Sequence, residues 1–542
     1  MFSIRPRLCI CLTILTQTYA QLLPDSQALI MNELEHLYFD DTGPGGFKSG
    51  IVPCTNYVDS KTGLNNNTLG RETAAQWIRT AFHDFVTADV AAGTGGLDAS
   101  IGFETLRPEN VGVAFNDSLF FFSFFITDKS SMADLIAMGV AMAIGACGGP
   151  QIPYRGGRID ATEAGPFGVC QPETDLKTTL SSFSGAGFNQ ADAIALTACG
   201  HTMGGVHYST FPQIVGPEAV SPDNLGGRIP FDDTVAVNDI NVVRQYLSGT
   251  GNRGGALVTT TNKTVQSDLR LYASDNNKTM EKLSQSPEQF NSICTNLIAR
   301  MIDTIPNGVT LTPVLDPRNV KHADILLNVD WSGKLTLSGF LRYIETAGSA
   351  SDPKSLDVTV INRDGVLTAN TVKALGNLST DTGNGVFGPT FRYPFTVDIP
   401  GETGLGGLAV GSERFPLQDT LFVVPLLSSV TPGLASYNIL DPDKLWTFNV
   451  TAAYRTFSTP SSLTAIVKYP VPQPGNMSPR IDSSNTAQLA LIGKTGPFSL
   501  YSAALQYTLN SKQVFGSSID IVDEGSGAKA EFFKLFSIME FF

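Results

Sequence analysis

Two short stretches of the chain concentrate the side chains able to move protons or hold metals. Arg79-Thr80-Ala81-Phe82-His83-Asp84 sets a guanidinium and an imidazole four residues apart, which on a helix places both on one face. An imidazole titrates near neutrality and can pass protons, and the adjacent cation can stabilise negative charge. Asp84, Asp98, the Ser100 hydroxyl and carbonyls near Gly96 lie in or just after this stretch. Together they could supply the all-oxygen shell of a hard cation such as Ca²⁺, the alternative being a plain glycine-rich loop. The second stretch, Ala198-Cys199-Gly200-His201-Thr202-Met203-Gly204-Gly205-Val206-His207, closes a predicted helix, so His201 projects from a helix end as a metal ligand or a cap. His36 and His322 sit in no comparable cluster, and a surface or capping role is expected for both.

The elements that must position these residues differ between the two halves of the chain. From about Asn32 to Ile305 apolar residues recur three or four apart, as in Thr73 to Val86, Met132 to Ile144, Asn189 to Thr197 and Pro287 to Ile302, the spacing of helices with one buried face. Beyond about Pro317 the pattern changes to short alternating runs: Asp357 to Ile361, Leu421 to Val424, Leu463 to Val467 and Phe498 to Tyr501. Such runs between turn residues read as an antiparallel sandwich or barrel. The expected architecture is a mainly-α domain followed by an all-β domain. Gly401 to Gly407 looks like a phosphate loop, but no strand-to-helix context follows it.

With 542 residues the chain exceeds the ~250–300 residues at which single cores stop growing. Its 42% hydrophobic content excludes wholesale disorder. The net charge of −14 repels phosphate backbones and anionic membrane surfaces, so neither nucleic acid nor membrane is an expected partner.

Met1 to Ala20 carries Arg5 and Arg7, an apolar run from Leu8 to Leu15 and small residues before a cleavage point, the pattern of a secretory signal. Its apolar run is too short for the ~20 residues of a membrane span. Seven Asn-x-Ser/Thr sequons, at Asn66, Asn116, Asn262, Asn277, Asn377, Asn449 and Asn476, agree with secretion. Loss of the signal leaves Cys54, Cys147, Cys170, Cys199 and Cys294. The odd count leaves a thiol unpaired. Cys199, on what reads as a buried helix, is the expected free one, with Cys147–Cys170 and Cys54–Cys294 as the favoured pairs.

Arg-x-x-Phe-His-Asp, Gly-Gly-Leu-Asp-Ala-Ser-Ile and Cys-Gly-His-Thr-Met-Gly-Gly-Val-His, in this order, resemble the signatures of the plant, fungal and bacterial haem peroxidase superfamily. The resemblance covers about Asn32 to Ile305 and does not extend to the β half. It divides the chain into a signal (1–20), a helical haem peroxidase domain (21–320) and a β-rich domain of unknown role (321–542).

Residue by residue, the resemblance implies haem b with His83 as distal histidine, Arg79 as distal arginine and Phe82 over the haem edge. Asn110, spaced from Glu104 as in the family, accepts the Nδ1 proton of His83. His201 resembles the proximal ligand, Asp268 its carboxylate partner and Phe231 the aromatic stacked beside it. His207 resembles a propionate-contacting position, and the basic residues of Arg155 to Arg158 are expected on the propionate side. Two Ca²⁺ sites are implied: Asp84, Gly96, Asp98 and Ser100 on the distal side, and Thr202, Asp232, Thr234, the Val237 carbonyl and Asp239 on the proximal side, with Asp233 a competitor of Asp232. The implied activity is reduction of hydrogen peroxide and one-electron oxidation of small, phenol-like donors outside the cell.

Phe82 and Phe231 stand where the ascorbate peroxidase branch carries tryptophans, no carboxylate cluster marks a manganese site, and Trp77 reads as packing. The different-class alternative is a secreted binding or structural protein that keeps a relic peroxidase fold. Its β domain would touch polysaccharide or protein; Trp446, Tyr454 and Tyr469 would stack on sugars only if solvent-facing, and core packing is the expected role.

Overall fold

The computed structural model describes residues 25–40, 46–51, 54, 72–222, 224–345, 353–376, 383–385, 388–432, 444–455 and 462–538. Met1 to Ala20 and the sequons at Asn66 and Asn377 lie outside the described residues.

The first half is helical: α1 (Asp25–Glu35), α2 (Thr73–Phe85), α3 (Ala114–Phe122), α4 (Met132–Ala146), α5 (Leu176–Gly185), α6 (Gln190–Gly200), α7 (Asn241–Ser248), α8 (Ala256–Thr259), α9 (Ser267–Tyr272), α10 (Lys278–Leu283) and α11 (Pro287–Ile302). A short ribbon of β1 (Gly205–His207) and β2 (Arg228–Pro230) follows α6. Helix α4 is buried continuously from Met132 to Ile144, because apart from Asp134 in its first turn that run carries no charge and is apolar all round. Ser131 starts it by accepting from the Asp134 N–H (3.1 Å), and Asn189 with Asp192 forms the capping box that starts α6. Helix α2 packs on α4 and α3, with Trp77 wholly buried against Phe47 and Phe122. No helix among the described residues is long and apolar enough to cross a membrane.

The second half is antiparallel β: β3 (Val320–Val329), β4 (Leu335–Ile344), β5 (Ser355–Ile361), β6 (Leu367–Leu375), β7 (Gly383–Gly385), β8 (Gly388–Ile399), β9 (Gly407–Val410), β10 (Glu413–Pro416), β11 (Leu421–Val423), β12 (Ser429–Pro432), β13 (Lys444–Tyr454), β14 (Leu463–Gln473), β15 (Asn476–Gln488), β16 (Ala490–Thr495), β17 (Phe498–Leu509), β18 (Ser518–Asp523) and β19 (Lys529–Lys534). Its sheets run β3-β4-β8-β7, β10-β9-β5-β6, β11-β13-β17-β16 with β12 on β13, and β15-β14-β18-β19. Two apolar cores lie between them. Strand alternation shows why: Leu421 and Val423 face one core while Phe422 and Val424 face the other, so the β11-β13-β17 sheet is covered on both sides.

Several expectations are corrected. The disulfides are Cys54–Cys147 and Cys199–Cys294, with Cα–Cα distances of 5.2 and 5.5 Å, and Cys170 is free. Cys199 is indeed buried on α6, but the surface that buries it is α11, which presents Cys294. Arg158 does not line a ligand cavity; it is buried against Asp134 (3.0 Å) and Asp303 (3.3 Å). By contrast, Trp446 and Tyr454 are core residues, the role expected of them, and Tyr469 is half-buried with its hydroxyl accepting from Asn485. His322 is packed edge-on to Phe415 rather than at the surface, and desolvation pushes its pKa down to about 4.

Candidate functional site

A cavity of about 310 Å³ opens between α2 on one side and α6, β1 and α9 on the other. Glu72, Gln76, Arg79 and His83 all line it, because their spacings of four, three and four residues follow one face of α2. Gln76 and Thr80 tie α2 to α3 through Asp117 (3.4 Å) and Ser118 (3.2 Å). This fixes the helix that carries Arg79 and His83.

His83 Nδ1 lies 2.8 Å from Asn110 Oδ1, and Asn110 Nδ2 donates to the Glu104 carbonyl at 3.0 Å. Burial first, and then the charge of Arg79, lowers the His83 pKa well below the usual imidazole value, with the Asn110 bond opposing. Arg79 donates to the Val111 carbonyl (3.0 Å) and lies 4.6 Å from the Phe115 ring centre. Burial brings its pKa down to about 10, so it stays charged at neutrality.

Across the cavity His201 caps α6 and lines the space. Its ring stacks on Phe231 at 4.1 Å with planes 6° apart, and its Nδ1 is 2.7 Å from Asp268 Oδ2. The other ring nitrogen is the one left for a ligand. Phe82 and His207 also line the cavity, His207 opposite Arg228 in the β1–β2 register. One imidazole held by a carboxylate, walls that include Phe82, Phe183, Leu196 and Leu257, and polar groups at His207 and Arg228 fit a haem bound through His201.

The two predicted cation sets assemble differently. On the His201 side, Thr234 Oγ1 bonds Asp232 Oδ1 (3.0 Å) and Asp239 Oδ1 (3.2 Å), while Thr202 Oγ1 donates to the Asp239 carbonyl (2.7 Å) and sits 3.5 Å from that of Val237. Asp232 Oδ2 is buried without a hydrogen-bond partner and desolvation raises this carboxyl to about 6, so this oxygen set fits a cation. Asp233 is exposed and receives the Gln245 amide instead. On the His83 side Asp84 already accepts from the Asp98, Ala99 and Ile101 N–H groups and the Ser100 hydroxyl. Burial, followed by the Asp98 charge, raises its pKa well above the carboxylate range. Among the described residues no three His, Cys, Asp or Glu side chains gather as a metal cluster, so either set would rely on hydroxyl and carbonyl oxygens.

Two cavity residues, Cys170 and Glu72, and the buried Phe115 escape a motif-based reading. Cys170 lines the cavity as the free thiol, Phe115 backs Arg79 and His83, and Glu72 joins α2 to the opposite wall by accepting from the Gly204 N–H (2.9 Å) and pairing with Arg228. Gly204 has φ +84°, and a Cβ there would come within 2.7 Å of Ala75. Only glycine allows that approach. The period of Glu72, Gln76, Arg79 and His83 is the signal that finds Glu72.

A peroxidase family model matches residues 58–282, the segment holding both histidines and most of the cavity. Residues 58–282 are a peroxidase-family domain. The chain is 38% identical over 353 residues to a WSC domain-containing protein of Arthroderma benhamiae, covering 64% of this chain and 46% of that one. That share is too large for the helical half alone. It is 29% identical over 252 residues to L-ascorbate peroxidase 5, peroxisomal, of Arabidopsis thaliana, 44% of this chain and 81% of the relative. It is 30% identical over 162 residues to the mitochondrial cytochrome c peroxidase of Candida albicans, 28% of this chain and 44% of the relative. The chain thus spans less than half of the WSC relative's length.

Proposed function

We propose that the chain is a secreted, extracellular haem peroxidase that reduces hydrogen peroxide and oxidises small organic donors by one-electron steps. The helical domain (21–320) would hold haem b through His201 and two Ca²⁺ through the oxygen sets around Asp84 and Asp232. The observation that carries this reading is the facing pair of histidines, each with Nδ1 engaged by an acceptor, Asn110 on one side and Asp268 on the other.

Haem, when bound, supplies the redox chemistry and takes up the oxidising equivalents of peroxide. The chain supplies proton handling and charge. His83 Nε2 would take a proton from one oxygen of hydrogen peroxide held in the cavity and return it to the other, which leaves as water, with the remaining oxygen's oxidising equivalents taken up by the haem. Asn110 keeps the other nitrogen protonated, so the base always faces the cavity. Arg79 stabilises the charge that develops on the departing oxygen. Asp268 draws the His201 Nδ1 proton and would make Nε2, the nitrogen that would hold the haem iron, more basic, while Phe231 and the helix end hold its ring in place. His207 with Arg228 is suited to the carboxylate edge of the cofactor.

The test is the visible spectrum of the secreted protein before and after one equivalent of hydrogen peroxide, for the wild type and for His83→Leu. A Soret band that shifts in the wild type, returns on adding a phenol, and barely responds in the variant supports the reading. Peroxide turnover that survives His83→Leu removes the base from His83, and a haem-free or indifferent wild type favours a binding protein with a relic fold.

A further inference from the structure

Strand β15 lies against the outside of the cavity wall. It packs on α3 and on the Ser100–Phe103 turn, and its Ile481 packs against the helical core. Gly102 in that turn is so close that a Cβ there would lie 2.2 Å from Asn476 Oδ1. Both contacted pieces hold Arg79 and His83 on their other side. Helix α3 carries Phe115, wholly buried, 4.6 Å from the Arg79 guanidinium and 4.7 Å from the His83 ring. The turn runs directly into Glu104, whose carbonyl holds the Asn110 amide that orients His83.

Charges of opposite sign close the same junction. Asp128 receives Lys468 Nζ and Ser518 Oγ, each at 2.8 Å. Glu35 receives Lys321 Nζ at 2.9 Å and Arg342 Nη2 at 3.0 Å, and Glu33 receives Lys534 Nζ at 2.6 Å. In every case the helical half gives the acid and the β half the base. Buried pairs need not add stability, but a displaced partner strands a charge in a poorly solvated place. They therefore specify one seating of the β half on the helical half.

We propose that the β half is a fixed outer wall of the cavity, with β15 positioning Arg79 and His83 through Phe115 and through the Gly102-to-Asn110 turn, and that it is not a separately moving module. Ile481 and Phe115 are positioning residues: neither touches the reacting atoms. The effect on turnover rests on the proposed role of His83, whereas the effect on local order does not.

The experiment uses the full-length protein, Ile481→Ala, and Leu491→Ala as a control on exposed β16. Hydrogen exchange over residues 100–122 is followed by mass spectrometry, and the reaction with peroxide is followed at equal haem content. A wall predicts exchange over 100–122 about tenfold faster in Ile481→Ala, unchanged in Leu491→Ala and largely restored in Ile481→Val. It also predicts a slower peroxide reaction with the donor-oxidation rate unchanged. Equal exchange in wild type and Ile481→Ala overturns the proposal. Should Ile481→Ala fail to fold, the wild type decides by heating: one shared transition supports the wall, and a first transition confined to the β half that leaves 100–122 protected overturns it. A wild type inert to peroxide would count against the proposed function alone, because exchange is read without turnover.

Discussion

His83 Nδ1 and Asn110 Oδ1 stand 2.8 Å apart with the Asn110 amide nitrogen committed to the Glu104 carbonyl. An amide oxygen only accepts, so Nδ1 carries the hydrogen and the free electron pair of His83 resides on Nε2. The tautomer required of a base facing the cavity is thus set by a residue 27 positions away.

Removing that base gives the largest expected kinetic effect. His83→Leu is expected to slow the reaction with peroxide by about 10²–10⁴-fold, and Arg79→Leu by about 10²–10³-fold. Stopped-flow traces at equal haem content check both, and a loss below tenfold in His83→Leu would remove it from the mechanism.

The pH dependence follows from the direction of the His83 shift. Burial and the charge of Arg79 disfavour the imidazolium, so the neutral, reactive form persists below the ordinary value of about 6.5. The peroxide rate should stay flat from neutrality to below that value and fall only at more acid pH. For stability the sign is the same: the unfolded chain takes up this proton near pH 6.5 and the folded one does not, so His83 costs stability as pH drops through that region. A rate that falls with an apparent pKa at or above 6.5 would contradict the assignment.

On the opposite side, Asp268→Asn removes the carboxylate 2.7 Å from His201. A change in such a partner of a metal ligand typically costs about 10–100-fold in affinity or activity. Haem retention on dialysis and the position of the Soret band would report it, and a variant with wild-type retention and spectrum would show that the contact is only structural.

Calcium should bind at Asp232, whose Oδ2 has no hydrogen-bond partner. Without a cation its pKa of about 6 exceeds the unfolded value near 3.8, so the folded form holds the extra proton between those values and loses stability as pH rises through that window. Calcium reverses the trend, and its binding should weaken as pH falls below about 6, with release of a proton. Calorimetric titrations of chelated protein at two pH values measure this. A Ca²⁺ affinity that does not change across the window, or one unaffected by Asp232→Asn, would relocate the site.

Covalent structure offers a count. Among the seven cysteines, Cys54–Cys147 and Cys199–Cys294 are bridged, so denatured, unreduced protein should show one reactive thiol, Cys170, if residues 1–20 have been removed, and three if Cys9 and Cys11 remain. Replacing the Cys199–Cys294 pair by serines should cost about 2–5 kcal/mol, read by denaturant unfolding.

The residue order alone determines the change from helical to alternating periodicity. It also determines the limits of α11 and, within a few residues, those of α2, α4 and α6. Each of these depends on neighbours within a turn or two, and so does the shared face of Arg79 and His83. The spacing of Asn110 and Asp268 becomes meaningful only through resemblance to a family, since nothing local joins positions tens of residues apart. Tertiary structure decided the rest. Cys199 looked isolated because its partner surface, α11, is 95 residues away in sequence, and Arg158 looked like a cavity cation although Asp134 buries it. Alternation in Leu421 to Val424 announces a strand but cannot say that both of its faces are covered. The placing of β15 behind Phe115 is likewise invisible in the sequence, because burial, ion pairing and disulfide choice depend on which surfaces meet. Those meetings are a property of the packed chain as a whole.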